Sequence, residues 1–430
     1  MSWALRFRLR EQLRTGIWLV PCGCGVAGLL LGMAVWRLDR WAAWTLLDYK
    51  HDGAMALAGA IVSAMLTFVG TAFTVLLVAA QFASNQLSPR ALKVSLGDPL
   101  YRMALGLFVG TLVYTMAILT RISADFVPQL GVALAAVLTM TSVVTYLILI
   151  GHFGRSLRPV NVVARVGREG RRTLERMYPA ALADPDREAG APDPMPTARA
   201  ARTLCHPGPP GILLGLDLEG LVAEAQRCNT RVVLVPAVGG FVRTGTPLFR
   251  LFAATPPIDE RLLLRSVAVG RERTMEQDTR FVFRVLVDVA IKALSPAIND
   301  PTSAVMAIDQ LHELLAYLGP RRLDVGRYRD RDGQVRLRVE MPTWENYMSL
   351  AVDEIRHFGA GSIQVGRRLR AMLQDLHQIL PEERKGAIRH ELTLLDHSIG
   401  RAFPDAADRE RASQPDEQGI GSSPQAGAGC

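Results

Sequence analysis

The chain has 430 residues, 49% of them hydrophobic and 21% charged, with a formal net charge of +8. That length leaves room for two or three folded units of about 150 residues each. The basic excess does not call for nucleic acid, because it is concentrated beside apolar segments. The five cysteines are not placed as a disulfide framework: two fall inside an apolar segment, and the other three in a part expected to face reducing cytosol.

Four stretches carry no Asp, Glu, Lys or Arg: Thr15–Trp36, residues 53–89, Met103–Thr120 and Phe126–Gly151. A helix needs about 20 consecutive apolar residues to cross the hydrocarbon core of a bilayer, so each can span. Arginines cluster before the first stretch (Arg6, Arg8, Arg10, Arg14), between the second and third (Arg90, Lys93, Arg102) and after the fourth (Arg155 to Arg172). The remaining loops dilute Arg37, Arg40 and Lys50 with Asp39, Asp48 and Asp52, or hold only Arg121 with Asp125. Positive charge on alternate sides predicts both termini in the cytosol. Cleavage of the first stretch as a signal peptide would reverse that alternation, so it is read as an uncleaved helix. Cys22 and Cys24, in a Gly-rich segment, are read as part of a close helix contact rather than a soft-metal pair.

The second span carries one patterned polar surface. Ser63, Thr67, Thr71, Thr74, Gln81, Asn85 and Ser88 recur at spacings of three, four or seven and form a single stripe at 100° per residue. Two readings stand: helix packing, at roughly 0.6–2 kcal/mol per interhelical hydrogen bond, or the lining of a wet pathway in an assembly. No acid, Lys or Arg sits mid-span, which argues against a proton-coupled pump. Thr111, Thr115, Thr139, Thr141, Ser142 and Thr145 read as interhelical contacts, and His152 as an interfacial anchor.

Past the spans, residues 154–178 predict a basic juxtamembrane helix. Residues 179–210, rich in Pro, Ala and Asp, predict a flexible linker. Residues 211–256 predict a small β-rich module: strands at Ile212–Leu216, Thr230–Val235 and Leu248–Phe252, and a helix capped by Asp217. Within it, Val238 to Leu248 is similar to the glycine-turned hairpin of biotinyl and lipoyl carriers. No lysine stands at either turn to take a prosthetic group. Residues 257–403 predict a mainly helical domain. Its first helix follows a capping box of Thr274 and Gln277, and Arg284 or Lys292 is placed to pair with Asp288. The second helix starts at Asp300-Pro301, and a strand pair turns at Asp332-Gly333. Three more helices follow, over Trp344–Phe358, Ser362–Leu380 and Pro381–Phe403. The tail, residues 404–430, reads as disordered.

The corner Ala293 to Ala304 is the densest group of special residues outside the spans. Ser295, Asn299, Asp300, Thr302 and Ser303 are read either as a site for an ion, phosphate or cytosolic partner, or as a helix–turn–helix joint. His390 and His397 stand too far apart on their helix to suggest zinc. No phosphate loop, dinucleotide fingerprint, kinase signature or nucleophile elbow appears, so no enzyme, metal or cofactor is expected.

Three stretches carry a resemblance: Thr74-Val-Leu-Leu-Val-Ala-Ala-Gln-Phe-Ala-Ser-Asn-Gln-Leu-Ser-Pro-Arg90, Ala293-Leu-Ser-Pro-Ala-Ile-Asn-Asp-Pro-Thr-Ser-Ala304 and Phe358-Gly-Ala-Gly-Ser-Ile-Gln-Val-Gly-Arg367. With them the chain resembles the bacterial predicted-membrane-protein family, domain of unknown function 2254. The resemblance implies four spans in the inner membrane and a cytosolic domain. The expected architecture is therefore an α-helical membrane domain of four transmembrane helices over residues 1–153, plus a cytosolic α+β domain with a small β module and a helical C-terminal part. The expected partners are the bilayer and further copies of the chain, forming an ion pore or passive transport element gated from the cytosolic side. The alternative is a membrane-anchored signalling or scaffolding module that binds a cytosolic partner or ligand.

Overall fold

Length and apolarity make four helices candidate membrane spans: Leu19–Ala42, His51–Gln81, Pro99–Leu119 and Gln129–His152. The structure, a computed structural model, describes residues 3–16, 18–42, 49–86, 98–156, 158–182, 202–252 and 257–421. The chain divides into two units, Glu11–Asn85 with Pro89–Val162, and Met1–Arg10 with Gln86–Ser88 and Val163–Cys430. The helices in order are α1 (Trp3–Thr15), α2 (Leu19–Ala42), α3 (His51–Gln86), α4 (Pro99–Leu119), α5 (Gln129–Ser156) and α6 (Pro159–Met177).

In the spanning unit, glycines set the closest approach. A β-carbon on Gly32 would lie 2.9 Å from the Ala117 methyl, and one on Gly106 would lie 2.9 Å from Cys24 Sγ. Such small-residue seams let backbones touch where the hydrophobic effect gives no drive. The rest of the interior is apolar, around Met65, Tyr114, Ile118 and Val132 near one end and Ala72, Leu105, Phe108 and Leu149 near the other. Phe68 stacks on Tyr146 with ring centroids 4.5 Å apart. Buried hydroxyls close on acceptors: Tyr101 donates to the Ala72 carbonyl at 2.8 Å and Tyr114 to that of Gly131 at 3.0 Å. Met140, Val144, Leu147 and Ile148 of α5 are exposed, as a lipid-facing surface requires.

The second unit is an α/β structure. Its elements are β1 (Arg202–Cys205), β2 (Gly211–Leu216), α7 (Leu218–Arg227), β3 (Arg231–Leu234), β4 (Phe241–Val242), β5 (Pro247–Phe252), α8 (Glu260–Arg265), β6 (Val267–Gly270), α9 (Thr279–Ala293) and α10 (Pro301–Leu318). They continue with β7 (Arg327–Arg329), β8 (Val335–Arg338), α11 (Trp344–Phe358), α12 (Ile363–Ile379), α13 (Glu382–Ala402) and α14 (Ala406–Ala412). One sheet has the order β1-β5-β3-β8-β7 and the other β4-β2-β6. Only β3 with β8 is parallel among these pairings. Leu213, Val232, Phe249, Leu251 and Leu337 bury the shared core, with Leu221 and Ala225 of α7 packed on it. In the helical part, Val282, Leu286, Ile308, Leu315, Ile355 and Leu373 are buried.

Several expectations are corrected here. Of the segment read as a linker, residues 183–201 lie outside the described residues, and its end contains β1, whose backbone pairs with β5. The block resembling a carrier hairpin is no hairpin: β4 pairs with β2 while β5 pairs with β1 and β3, so the Gly245 turn joins strands of different sheets. The capping box at Thr274 and Gln277 does not form. The Gln277 amide is taken by Leu216, accepting from its N–H at 3.0 Å and donating to its carbonyl at 3.1 Å. Asp278 caps α9 instead, accepting from Phe281 N–H at 3.1 Å. Of the tail read as disordered, residues 404–421 are described; they form α14 and then return to α12, while residues 422–430 lie outside the described residues. Arg367 donates to the Gln414 carbonyl at 3.2 Å and to that of Gly421 at 3.1 Å. The amino-terminal basic segment, for which no fold was predicted, is helical. Its Ala4 and Phe7 pack on Leu214 and Ala268.

Candidate functional site

Of the polar stripe on the second span, the structure describes Ser63, Thr67, Thr71, Thr74 and Gln81; the side chain of Asn85 and all of Ser88 lie outside the described residues. Ser63, Thr67, Thr74 and Gln81 are exposed and Thr71 is half-buried. The helix turns its other face inward, burying Ala54, Ala58, Ile61, Met65, Ala72 and Ala79. Period and composition produce this split, since the small hydroxyl residues recur on one side and the apolar residues on the other.

Each described stripe hydroxyl closes on its own helix. Ser63 donates to the Gly59 carbonyl at 3.1 Å, Thr67 to Ser63 at 3.0 Å, Thr71 to Thr67 at 2.9 Å and Thr74 to Gly70 at 3.1 Å. These bonds satisfy the donors and leave oxygen lone pairs facing outward. None of these four hydroxyls donates to another of the described spans. The hydroxyls of α4 and α5 divide differently. Thr111 meets Ser142 across the helices at 3.3 Å, whereas Thr115, Thr139, Thr141 and Thr145 bond to carbonyls of their own helices.

Two acidic groups cap helices: Asp39, which the sequence read as a loop charge, and Asp98. Asp39, buried on α2, accepts from Leu130 N–H at 3.2 Å and Gly131 N–H at 2.9 Å, the opening turn of α5. It thereby satisfies donors left orphaned at a helix start. Gln129 beside it exchanges hydrogen bonds with the Tyr49 backbone at 2.9 and 3.0 Å. Asp98 caps α4 through Leu100 N–H at 3.0 Å and meets His152 Nε2 at 2.8 Å, which gives the anchor histidine a specific partner. The signal for Asp98 was the Asp-Pro pair that opens α4. Asp39 had no local signal, because its partners stand more than ninety residues away.

The corner between α9 and α10 is closed on itself. Ser295 Oγ donates to the Lys292 carbonyl at 2.7 Å, and the Asn299 and Asp300 amides donate to Ser295 and Ala293 at 2.8 Å each. Asp300 accepts from Ser303 N–H at 3.0 Å and Ser303 Oγ at 2.5 Å. Asn299 takes the left-handed conformation, φ 49°, which asparagine tolerates better than most residues. Thr302 is exposed and Ser303 buried. The helix N-terminus that could have attracted a phosphate is filled by the chain's own carboxylate.

Electrostatics concentrate at the start of α9. Thr279 Oγ1 and Tyr178 both bond to the Tyr347 hydroxyl, the latter at 2.9 Å. Burial holds the Tyr347 phenol well above its ordinary range, with the neighbouring Tyr178 adding to the effect. Burial likewise raises the Asp278 carboxyl, against the opposing pull of Arg273 at 3.7 Å. Elsewhere Arg284 grips Glu354 and Asp288 together, and its guanidinium holds the Glu354 carboxyl below the usual range. Asp396 accepts from Arg370 rather than facing His397. Among the described residues, no three His, Cys, Asp or Glu side chains gather as a metal site. A cleft beside the five-stranded sheet is lined by Arg250, Arg322, Arg327, Arg338 and Arg384, residues that sequence reasoning did not single out.

A family model described as a predicted membrane protein (DUF2254) matches residues 14–375. The chain is 27% identical over 424 residues to an uncharacterized protein of Mycobacterium bovis and to uncharacterized proteins of two Mycobacterium tuberculosis strains. Each alignment covers 94% of this chain and 80% of the relative. No solved structure matches it.

Proposed function

We propose that this chain, which belongs to the DUF2254 family of predicted membrane proteins, is an oligomeric ion pore or passive transport element of the bacterial inner membrane. Several copies turn the α3 stripe toward a shared pathway, and the α/β unit, on the cytosolic side with both termini, governs assembly or gating. One observation carries the reading: Ser63, Thr67, Thr74 and Gln81 are exposed on the face of α3 that this chain's own bundle leaves open. Lipid offers that face no hydrogen-bond partner, whereas facing copies, or water between them, offer many. The lack of a mid-span charge supports passive movement over proton coupling.

The test is ion flux through purified protein in liposomes, together with its oligomeric state in detergent. Flux that changes in Thr71→Leu or Gln81→Leu supports the pathway. A strict monomer that passes no ion removes it, because four helices alone enclose little space. The membrane-anchored module remains the second reading. Its support comes from the arginine-lined cleft, since the Asn299–Ser303 corner uses its polar groups internally.

A further inference from the structure

Register sets a row of cations across the five-stranded sheet. Thr203 pairs with Arg250, Arg250 with Val233, Val233 with Arg338, and Arg338 with Arg327. Strands lie about 4.8 Å apart, so the row spreads three arginine stems over roughly 15 Å. The alternate residues Val232, Leu234, Leu251 and Leu337 are buried in the core. By the two-residue period of a strand, the arginines occupy the opposite face. That face borders an open cavity of about 1110 Å³, where Arg322 and Arg384 join them.

Arg384 is held rather than free. It donates to the Gly319 carbonyl at 3.1 Å and the Arg321 carbonyl at 2.9 Å, and lies over the Trp344 ring. Burial works against its charge. Three carboxylates share the cleft: Asp324, Glu340 and Glu345. Asp324 is already paired with Arg327. Among the described residues, neither the Arg250 nor the Arg338 guanidinium donates a hydrogen bond to, or forms an ion pair with, another side chain. Like charges aligned in a row repel one another, and an anion laid along them reverses the sign of that term. Between the arginines the lining is apolar, with Val235, Leu323, Val339 and Met341.

We propose that this cleft binds a phosphoryl-bearing polyanion, with Arg250 and Arg338 as its free anchoring cations. A lone carboxylate reaches one planar guanidinium fork, whereas two or three linked phosphoryl groups reach several. The cleft exceeds the several hundred Å³ that small organic ligands occupy. A free oligophosphate and a phospholipid headgroup present the same chemistry. The site is independent of whether the spans conduct.

The test uses the full chain in phosphatidylcholine nanodiscs, titrated calorimetrically with tripolyphosphate. Saturable binding is expected, weakening by about tenfold or more in Arg250→Gln/Arg338→Gln. Arg172→Gln, a surface cation outside the cleft, keeps wild-type binding. Both arginines are on a solvent-facing sheet surface, so matching melting curves check that the double variant folds. A second arm replaces part of the phosphatidylcholine with cardiolipin. Stabilisation by cardiolipin that disappears in the double variant identifies a headgroup as the source; tripolyphosphate binding alone identifies a soluble one. Absence of both effects in the wild type, or their survival in the double variant, overturns the proposal.

Discussion

Gly28 of α2 lies so close to Gly110 of α4 that a β-carbon on it would stand 2.3 Å from the Gly110 carbonyl oxygen. Only a hydrogen fits there. Gly28→Leu is therefore expected to force the helices apart and destabilise the spanning unit by about 1–3 kcal/mol. Gly23, five residues earlier, has nothing within 4 Å of its virtual β-carbon, so Gly23→Leu should leave the thermal melt in detergent unchanged. Equal melts for the two variants would show that this contact does not hold the helices.

Asp39 supplies the cap that α5 cannot provide from its own sequence. Asp39→Ala leaves the Leu130 and Gly131 amides without their acceptor in apolar surroundings, at a cost of about 1–3 kcal/mol. Asp39→Asn retains one acceptor oxygen and should fall between. Limited proteolysis in detergent measures the order, and an alanine variant as resistant as wild type contradicts it.

At the α9–α10 corner, Asp300→Ala removes an N-cap worth about 0.5–2 kcal/mol, along with the Ser303 hydroxyl bond. Thr302→Ala, at an exposed position, should be neutral. Chemical denaturation of the full chain reads both. A corner that works as a joint shows the first loss without the second.

The Asp278 carboxyl sets a pH dependence. Burial raises its pKa in the folded chain, so the folded state holds its proton longer than the unfolded one. The stabilisation is complete below the unfolded value of about 3.9 and declines as pH rises through the folded value. Asp278→Asn keeps an N-cap acceptor and has no charge to desolvate. Its melting temperature should exceed wild type at neutral to basic pH and converge with it under acidic conditions. A difference independent of pH would rule out this origin.

Much of the architecture is local and so was readable along the chain. The four spans follow from apolar length. Asp217 and Asp300 announce their helices, and α11 occupies Trp344–Phe358 as its apolar period predicts. The α3 stripe was legible as a stripe, but its direction was not. Spacing says which residues share a face, and only packing says whether that face turns inward. Asp39 and Gln277 were misread for a related reason: each spends its side chain on backbone more than sixty residues distant.

The arginine cleft marks the limit most sharply. Arg250, Arg327, Arg338 and Arg384 sit in four separate elements or loops and look like ordinary surface charges in sequence. Strand order and register, long-range choices made by burying Val232, Leu251 and Leu337 together, bring them to one face. Composition and periodicity alone determined that the chain is a membrane protein with a folded α/β portion, since these depend on neighbours within a few turns. Tertiary structure decided which polar groups meet, because a hydrogen bond or ion pair depends on distance in space rather than along the chain.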